Sequence, residues 1–291
     1  MAGQADRLVA TVTASSLFAA GRLVAELAPR RLQFDQEPGS PLRPCLFHLT
    51  GIDLLPGDWS FADRQRRLLM GGIAISPFTF RQGRIPGIVP IAADRFRIDL
   101  PAGSRHEEPC FFVGGDPFGN YYHSLLDFFP RLRAWQKLET KPPDLRDTRV
   151  VPLRRRPPFV DEFLDQIGFP LGRLLEIDGD RADHFDSLYV ISNLSQFGHV
   201  HPLAPWLLGV GTPPPPPARG RRLYVSRRQA GRRRVRNEAE LMEALAQRGF
   251  EAVDLDGATL ARQQEMFALA EMVVGPHGAR RLPAGGTPPG R

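Results

Sequence analysis

Cysteine is nearly absent from this 291-residue chain, occurring only as Cys45 and Cys110. Two thiols supply neither a disulfide framework nor a zinc site of the usual spacing. Both lie in apolar runs, where a cysteine outside a disulfide behaves as a small hydrophobe, so both are expected in the core. Lysine is almost missing too, at 137 and 141 alone, so arginine carries nearly all of the positive charge. No run approaches the ~18 apolar residues of a membrane-spanning helix. The stretch Leu8–Ala20 is interrupted by Thr and Ser and preceded by Arg7 alone, which makes a poor signal peptide. A cytoplasmic protein is therefore expected, with peripheral contact at the inner membrane face left open. Disorder is excluded for the chain as a whole, because 42% hydrophobic residues suffice for a core.

What is present in excess is Arg, Pro and Gly, with a net charge of +6. Two readings compete for the charge. Clustered cations neutralise nucleic-acid phosphates. Alternatively, a GC-rich gene favours codons for all three residues, and a local diphosphate site uses a few of the arginines. The 29 Pro and 28 Gly favour the second.

Residues 1–108 mix short β-like runs (Cys45–Leu49, Gly72–Ser76, Phe96–Leu100) with Pro and Gly, and present no nameable chemistry. From Pro109 the pattern sharpens. Cys110–Val113 reads as a buried strand and Gly114–Gly119 as a loop. A helix over about 121–138 then carries a stripe of Tyr122, Leu125, Leu126, Phe129 and Leu132, with Trp135 nearby. Runs at Val150–Leu153, Phe159–Ile167 and Ser187–Ile191 extend an alternation of strand and helix through 109–211, the pattern of α/β folds. Pro213–Pro217 excludes helix and sheet interior, so 212–218 reads as a stiff linker.

Beyond the linker, 219–279 reads as β-α-β-α-β. Strands fall at Arg222–Ser226, Glu251–Leu255 and Met272–Val274. The first helix opens on Asn237 with Glu240 in capping-box spacing, and Gly249 supplies its left-handed stop. Thr259 caps the second helix. Right-handed crossovers make the three strands parallel, so their carboxyl ends line the edge where open α/β sheets bind ligands. Ser226-Arg227-Arg228, Asp254–Gly257 and Gly275–Ala279 all arrive there, as does the helix start at Asn237. Guanidinium, helix N-terminus, imidazole and close-approach glycine describe a diphosphate site. Taken singly, each has a bland reading: the arginines as a solvated surface, His277 as a structural histidine, Gly275 and Gly278 as turn residues. Asp254-Leu255-Asp256 has the form of a metal-binding D-x-D, but a strand end followed by a turn is the better reading, and no metal is invoked.

A second constellation lies on the helix after the Gly-rich loop. His123, Asp127 and Arg131 are spaced i, i+4, i+8 and so share a face. An imidazole beside a carboxylate is what a general base requires. The bland alternative is an exposed face with ordinary i,i+4 pairing.

Three groups of residues together resemble glycosyltransferase family 61. They are Asn120–Asp127 with Pro130-Arg131-Leu132, then Leu223–Arg228 with Arg234–Glu238, then Arg248–Glu251 with Val274–Ala279. The resemblance covers about 109–279. It implies a GT-B-like fold, two Rossmann-like lobes facing a cleft, and inverting transfer from a nucleotide-diphosphate sugar to a hydroxyl or glycan acceptor. It further implies no cofactor, no metal, no nucleic-acid partner, and a role in polysaccharide or glycan biosynthesis. Carried over by position, Arg227 and His277 contact the donor, while Asn237, Glu238, Gly275 and Gly278 shape its site. His123 and Asp127 stand on the acceptor side, one of them the base, the choice between them left open.

The resemblance ends at Ala279. Residues 280–291 form an Arg/Pro/Gly/Ala string that reads as an aberrant, disordered tail, leaving the C-terminal lobe incomplete. A frameshifted or truncated copy is the expectation, and reading the DNA after codon 279 in the other two frames tests it. The alternatives to an active transferase are an Arg-rich nucleic-acid-binding module over 219–236 and an inactive relic. Against the module, only Tyr224 supplies an aromatic platform near the basic run.

Overall fold

The computed structural model describes residues 7–16, 22–26, 45–55, 60–70, 87–113, 121, 124–138, 148–151, 158–177, 180–191, 194–196, 199–201, 203–208, 220–229 and 234–276. Gly72–Ser76, the Gly-rich loop, the 212–218 linker and the 280–291 tail lie outside these residues. The chain forms two compact units. The first is Met1–Gly119, His123–Arg156 and Pro170–Ala204; the second is Asn120–Tyr122, Pro157–Phe169 and Pro205–Arg291.

The first unit is built on a ten-stranded sheet. Its strands are β1 (Arg7–Ser16), β2 (Arg22–Glu26), β3 (Cys45–Leu54), β4 (Phe61–Asp63), β5 (Arg67–Met70), β6 (Ile88–Pro90), β7 (Arg95–His106), β8 (Cys110–Phe112), β9 (Arg149–Val151) and β10 (Ala182–Ile191). The order β3-β4-β5-β1-β7-β10 returns to β3 through the β10–β3 ladder, so the sheet curls until it meets itself. Antiparallel ladders join β3–β4, β4–β5, β1–β7 and β3–β10, whereas β1–β5, β7–β10, β8–β10 and β8–β9 are parallel. The mixed α/β class agrees with the sequence reading. This unit nevertheless departs from a doubly wound parallel sheet, because short connections such as that between β3 and β4 return the chain antiparallel.

Strand chemistry follows period two where one face is buried. In β7, Phe96, Ile98 and Leu100 are buried while Arg95, Arg97 and Asp99 are exposed. Those three pack with Leu55, Leu68 and Ile88 in one apolar cluster. Phe47, Ile52, Phe61, Phe112, Phe185 and Val190 form the heart of a second. Both cysteines sit in that second cluster, and burial pushes the Cys110 thiol up to about 11. Thiol-labelling reagents are therefore expected to leave Cys45 and Cys110 untouched in the folded chain and to count both in urea. Rapid native-state labelling of either would contradict this placement.

Helix α1 (Phe129–Lys137) follows a single π-helical turn, Ser124–Phe128. Pro130, in the first turn of α1, has no N–H for an α-type bond, and its ring excludes the carbonyl four residues back. The turn before it widens to i→i+5 bonding instead. Trp135 anchors α1 by stacking on Phe111 of β8, centroids 4.2 Å apart and planes 7° from parallel.

Still in the first unit, β11 (Ser195–Gln196) and β12 (His199–Val200) make a small antiparallel hairpin, and α3 (Leu203–Leu207) follows them in the chain. The second unit contains helix α2 (Pro158–Gln166), which precedes them in the chain. A three-stranded parallel sheet comes next, from β13 (Arg221–Val225), β14 (Phe250–Val253) and β15 (Ala270–Val274), in the order β14-β13-β15. Helices α4 (Glu238–Ala246) and α5 (Leu260–Ala268) connect the strands. Leu223, Val225, Val253, Leu255, Met266 and Phe267 form its core. Gly249, at φ 77°, ends α4 in the left-handed conformation expected of it.

The start of α5 receives two oxygens. Thr259 Oγ1 accepts the N–H of Arg262 at 3.2 Å, as the sequence predicts. Glu162 on α2 accepts the N–H of Leu260 at 2.5 Å, a cap delivered from 98 residues upstream. No local pattern announces that second cap.

Candidate functional site

The order β14-β13-β15 reverses at β13: the chain leaves β13 for one neighbour, then crosses back to the other. In open α/β sheets such a reversal opens a crevice at the strands' carboxyl ends. Ser226 and Arg227 follow β13 there, and Gly275 follows β15. The register pairs Tyr224 with Val274, which brings Gly275 against Val225. A Cβ on Gly275 would lie 2.9 Å from the Val225 carbonyl oxygen and 3.2 Å from its Cβ. Only glycine permits this approach of the two strand ends.

Beneath the edge lies Glu238, the first residue of α4 and one of the few buried charged groups among the described residues. Its Oε1 accepts the Tyr224 hydroxyl at 2.9 Å and the Arg227 backbone N–H at 2.9 Å, and the Ser226 hydroxyl adds a third bond. Burial pushes the Glu238 carboxyl up. The Arg227 N–H, the Tyr224 and Ser226 hydroxyls and the nearby Arg228 charge outweigh that and hold it below the ordinary value. Tyr224 moves the other way: burial first, then its bond to Glu238 and that group's charge, push the phenol up to about 12.

The start of α4 differs from the capping box expected of Asn237 and Glu240. Asn237, at φ −105° and ψ 41°, makes no side-chain cap bond. Its Nδ2 donates instead to Glu240 Oε2 at 3.4 Å. The extended backbone that aims an N-cap side chain at the helix N–H groups is not adopted here. A carboxylate of the chain itself, that of Glu238, meets this end of the second unit's sheet.

Asp254-Leu255-Asp256 is a turn, as read from sequence. Asp256 N–H donates to Asp254 Oδ1 at 2.9 Å, Leu255 is buried, and Gly257 has φ 77°. Among the described residues, no group of three or more His, Cys, Asp or Glu is arranged to hold a metal ion.

The arginines divide between the two ends of β13. At its amino end Arg221 forms a two-pronged ion pair with Glu251, and Arg222 lies 3.3 Å from Glu271. At its carboxyl end stand Arg227 and Arg228. Arg227 lies five positions beyond Arg222, about 16 Å along extended chain. A continuous basic stripe is not what these residues make.

His123, His277 and Gly278 lie outside the described residues, as does the side chain of Asp127, whose backbone belongs to the π turn. That turn changes the helical register, because i, i+4, i+8 placement on one face presumes α-helical turns throughout. Arg131, the third member of that trio, is fully buried in α1 rather than on an exposed face. Elsewhere in the first unit, titratable side chains pair with one another. Asp183 accepts from His106 at 2.8 Å, and His184 bridges Asp53 at 2.7 Å and Asp186 at 3.3 Å.

A family model described as Glycosyltransferase 61 matches residues 121–284, more than half of the chain. The chain belongs to glycosyltransferase family 61. It is thus an enzyme of sugar transfer, acting between a sugar donor and an acceptor. The family match spans the π turn, α1 and the whole β13–β15 sheet, so the Arg227–Glu238 constellation falls within the matched residues. No curated protein matches the chain. Among the described residues, no helix of this glycosyltransferase is long and apolar enough to cross a membrane.

Of the site residues expected from sequence, Arg227, Asn237, Glu238 and Gly275 are the ones the structure describes at the carboxyl edge of one sheet. Two residues that bind Glu238, Tyr224 and Ser226, are not among the site residues expected from sequence, although the sequence places Ser226 at this edge. The available signal was strand alternation, which separates Tyr224 from the apolar core residues Leu223 and Val225.

Proposed function

We propose that this glycosyltransferase moves a sugar from a nucleotide-diphosphate sugar to a hydroxyl acceptor, with inversion and without a metal, in polysaccharide or glycan biosynthesis. The reading is carried by the reversal of strand order at β13, where Arg227 is tethered by Glu238 and Gly275 closes against Val225. In a GT-B-like arrangement residues 219–279 belong to the nucleotide lobe and residues 1–211 to the acceptor-side lobe. The acceptor O–H loses its proton to a base, its oxygen forms the new bond to C1, and the C1–O bond to the diphosphate breaks. The leaving diphosphate takes that electron pair. Cationic groups stabilise the charge that develops on it. Arg227 supplies such a group, with His277 beside it by family resemblance and Gly278 allowing close approach. His123 or Asp127 is the base that takes the acceptor proton.

A thermal-shift panel of nucleoside diphosphates, run with a chelator present, tests this reading. A ligand that binds only the folded state at 100 times its Kd adds about 2.7 kcal/mol of stability. At least one diphosphate is expected to raise Tm under those conditions. A panel without any shift, alongside a salt-sensitive shift by a single-stranded oligonucleotide, would sink it.

A further inference from the structure

One oxygen ties the carboxyl end of β13 to the start of α4. Glu238 Oε1 accepts both the Tyr224 hydroxyl and the Arg227 N–H, each at 2.9 Å. Tyr224 and Glu238 are 1% and 6% exposed, so the bonds form where water does not compete and are strong for that reason. The Tyr224 backbone is held on both sides, paired with Ala252 of β14 and Val274 of β15. Its hydroxyl therefore comes from a fixed point and orients the shared carboxylate. The carboxylate in turn fixes the Arg227 amide, and with it the direction in which the Arg227 side chain leaves the loop.

We propose that Tyr224 is a positioning residue of the diphosphate site, acting through Glu238 to set the backbone from which Arg227 reaches the donor. This rests on the reading of Arg227 as the donor-binding cation, but its test is separable from that reading. A loop left to water would spend part of its time with Arg227 turned away, and donor affinity would fall by that fraction. Tyr224 thus contributes to binding without touching the ligand.

Tyr224→Phe deletes one oxygen and keeps the ring. Met266→Ala is the comparator, since Met266 packs with Leu223 and Val225, which alternate with Tyr224 along β13. Three quantities are measured on the full chain: Tm, hydrogen exchange at the Arg227 amide, and affinity for uridine diphosphate. In Tyr224→Phe the Arg227 amide is expected to exchange about tenfold faster and UDP to bind about tenfold more weakly. Met266→Ala, with an equal or greater loss of Tm, is expected to leave both unchanged. A native-like Arg227 amide in Tyr224→Phe overturns the proposal. So does native UDP affinity in Tyr224→Phe when Arg227→Ala has lost it. If both variants bind UDP as the native chain does, the diphosphate reading has failed, and the exchange result still decides whether Tyr224 positions the loop.

Discussion

Replacing Arg227 with alanine is expected to weaken UDP binding by roughly a hundredfold while leaving the fold in place. A charge-assisted hydrogen bond contributes about 1.5–3 kcal/mol, and about 2.7 kcal/mol corresponds to a hundredfold change in Kd. The fold should survive because the tether at this position is made by the main chain. The Arg227 N–H donates to Glu238 whatever the side chain is. Arg227→Lys keeps the charge but loses the planar fork that grips two phosphate oxygens at once, so an intermediate loss of about tenfold is expected. Isothermal titration of the three proteins at one salt concentration reads the series. Native affinity in Arg227→Ala would remove the arginine from the site.

The control for this experiment lies at the other end of the same strand. Arg222 is exposed and pairs with Glu271 at 3.3 Å, a surface contact worth at most about 1 kcal/mol. Arg222→Ala is expected to bind UDP as the native protein does. If binding were instead a response to summed positive charge, Arg222→Ala and Arg227→Ala would weaken it alike, and steeply with salt. The contrast between an arginine at the start of β13 and one just past its end therefore separates a built diphosphate site from general basicity.

The second unit was legible in sequence because its signals are local and agree with one another. Strand β13, the Thr259 cap, the Gly249 stop and the Asp254–Gly257 turn each follow from a few adjacent residues. What escaped depends on contacts between distant residues. Glu162 caps α5 from 98 positions away, and the curl of the first sheet is closed by the β10–β3 ladder across more than a hundred residues. Two local patterns also met local exceptions. A π turn precedes Pro130, so α-helical spacing does not by itself fix the face on which Arg131 lies, and Arg131 is buried. Asn237 and Glu240 have the spacing of a capping box, yet Glu238, which lies between them in the chain, takes the buried position and draws the loop to itself. At the candidate site, strand ends were readable; which side chain lies beneath them was not.

Glu238→Ala should be the most destabilising single change at this edge. It leaves the Tyr224 hydroxyl and the Arg227 N–H without their shared acceptor, and a severed buried charge-assisted network costs about 3 kcal/mol. Glu238→Gln retains an acceptor oxygen of the same size, so about 1 kcal/mol is expected. The two changes also differ from the native chain in how they respond to acid. The Glu238 carboxyl titrates below its ordinary value in the folded state, so its contribution is fully present above the unfolded value, about 4.3. The contribution fades as pH falls from there through the depressed folded value, because the unfolded chain takes up the proton first. Urea denaturation at pH 7 should therefore separate native from Glu238→Gln, and the gap should narrow steadily below pH 4. A gap that stays constant to pH 3 would mean that Glu238 is not held as a carboxylate by the loop, and the tether of Arg227 would lose its physical basis.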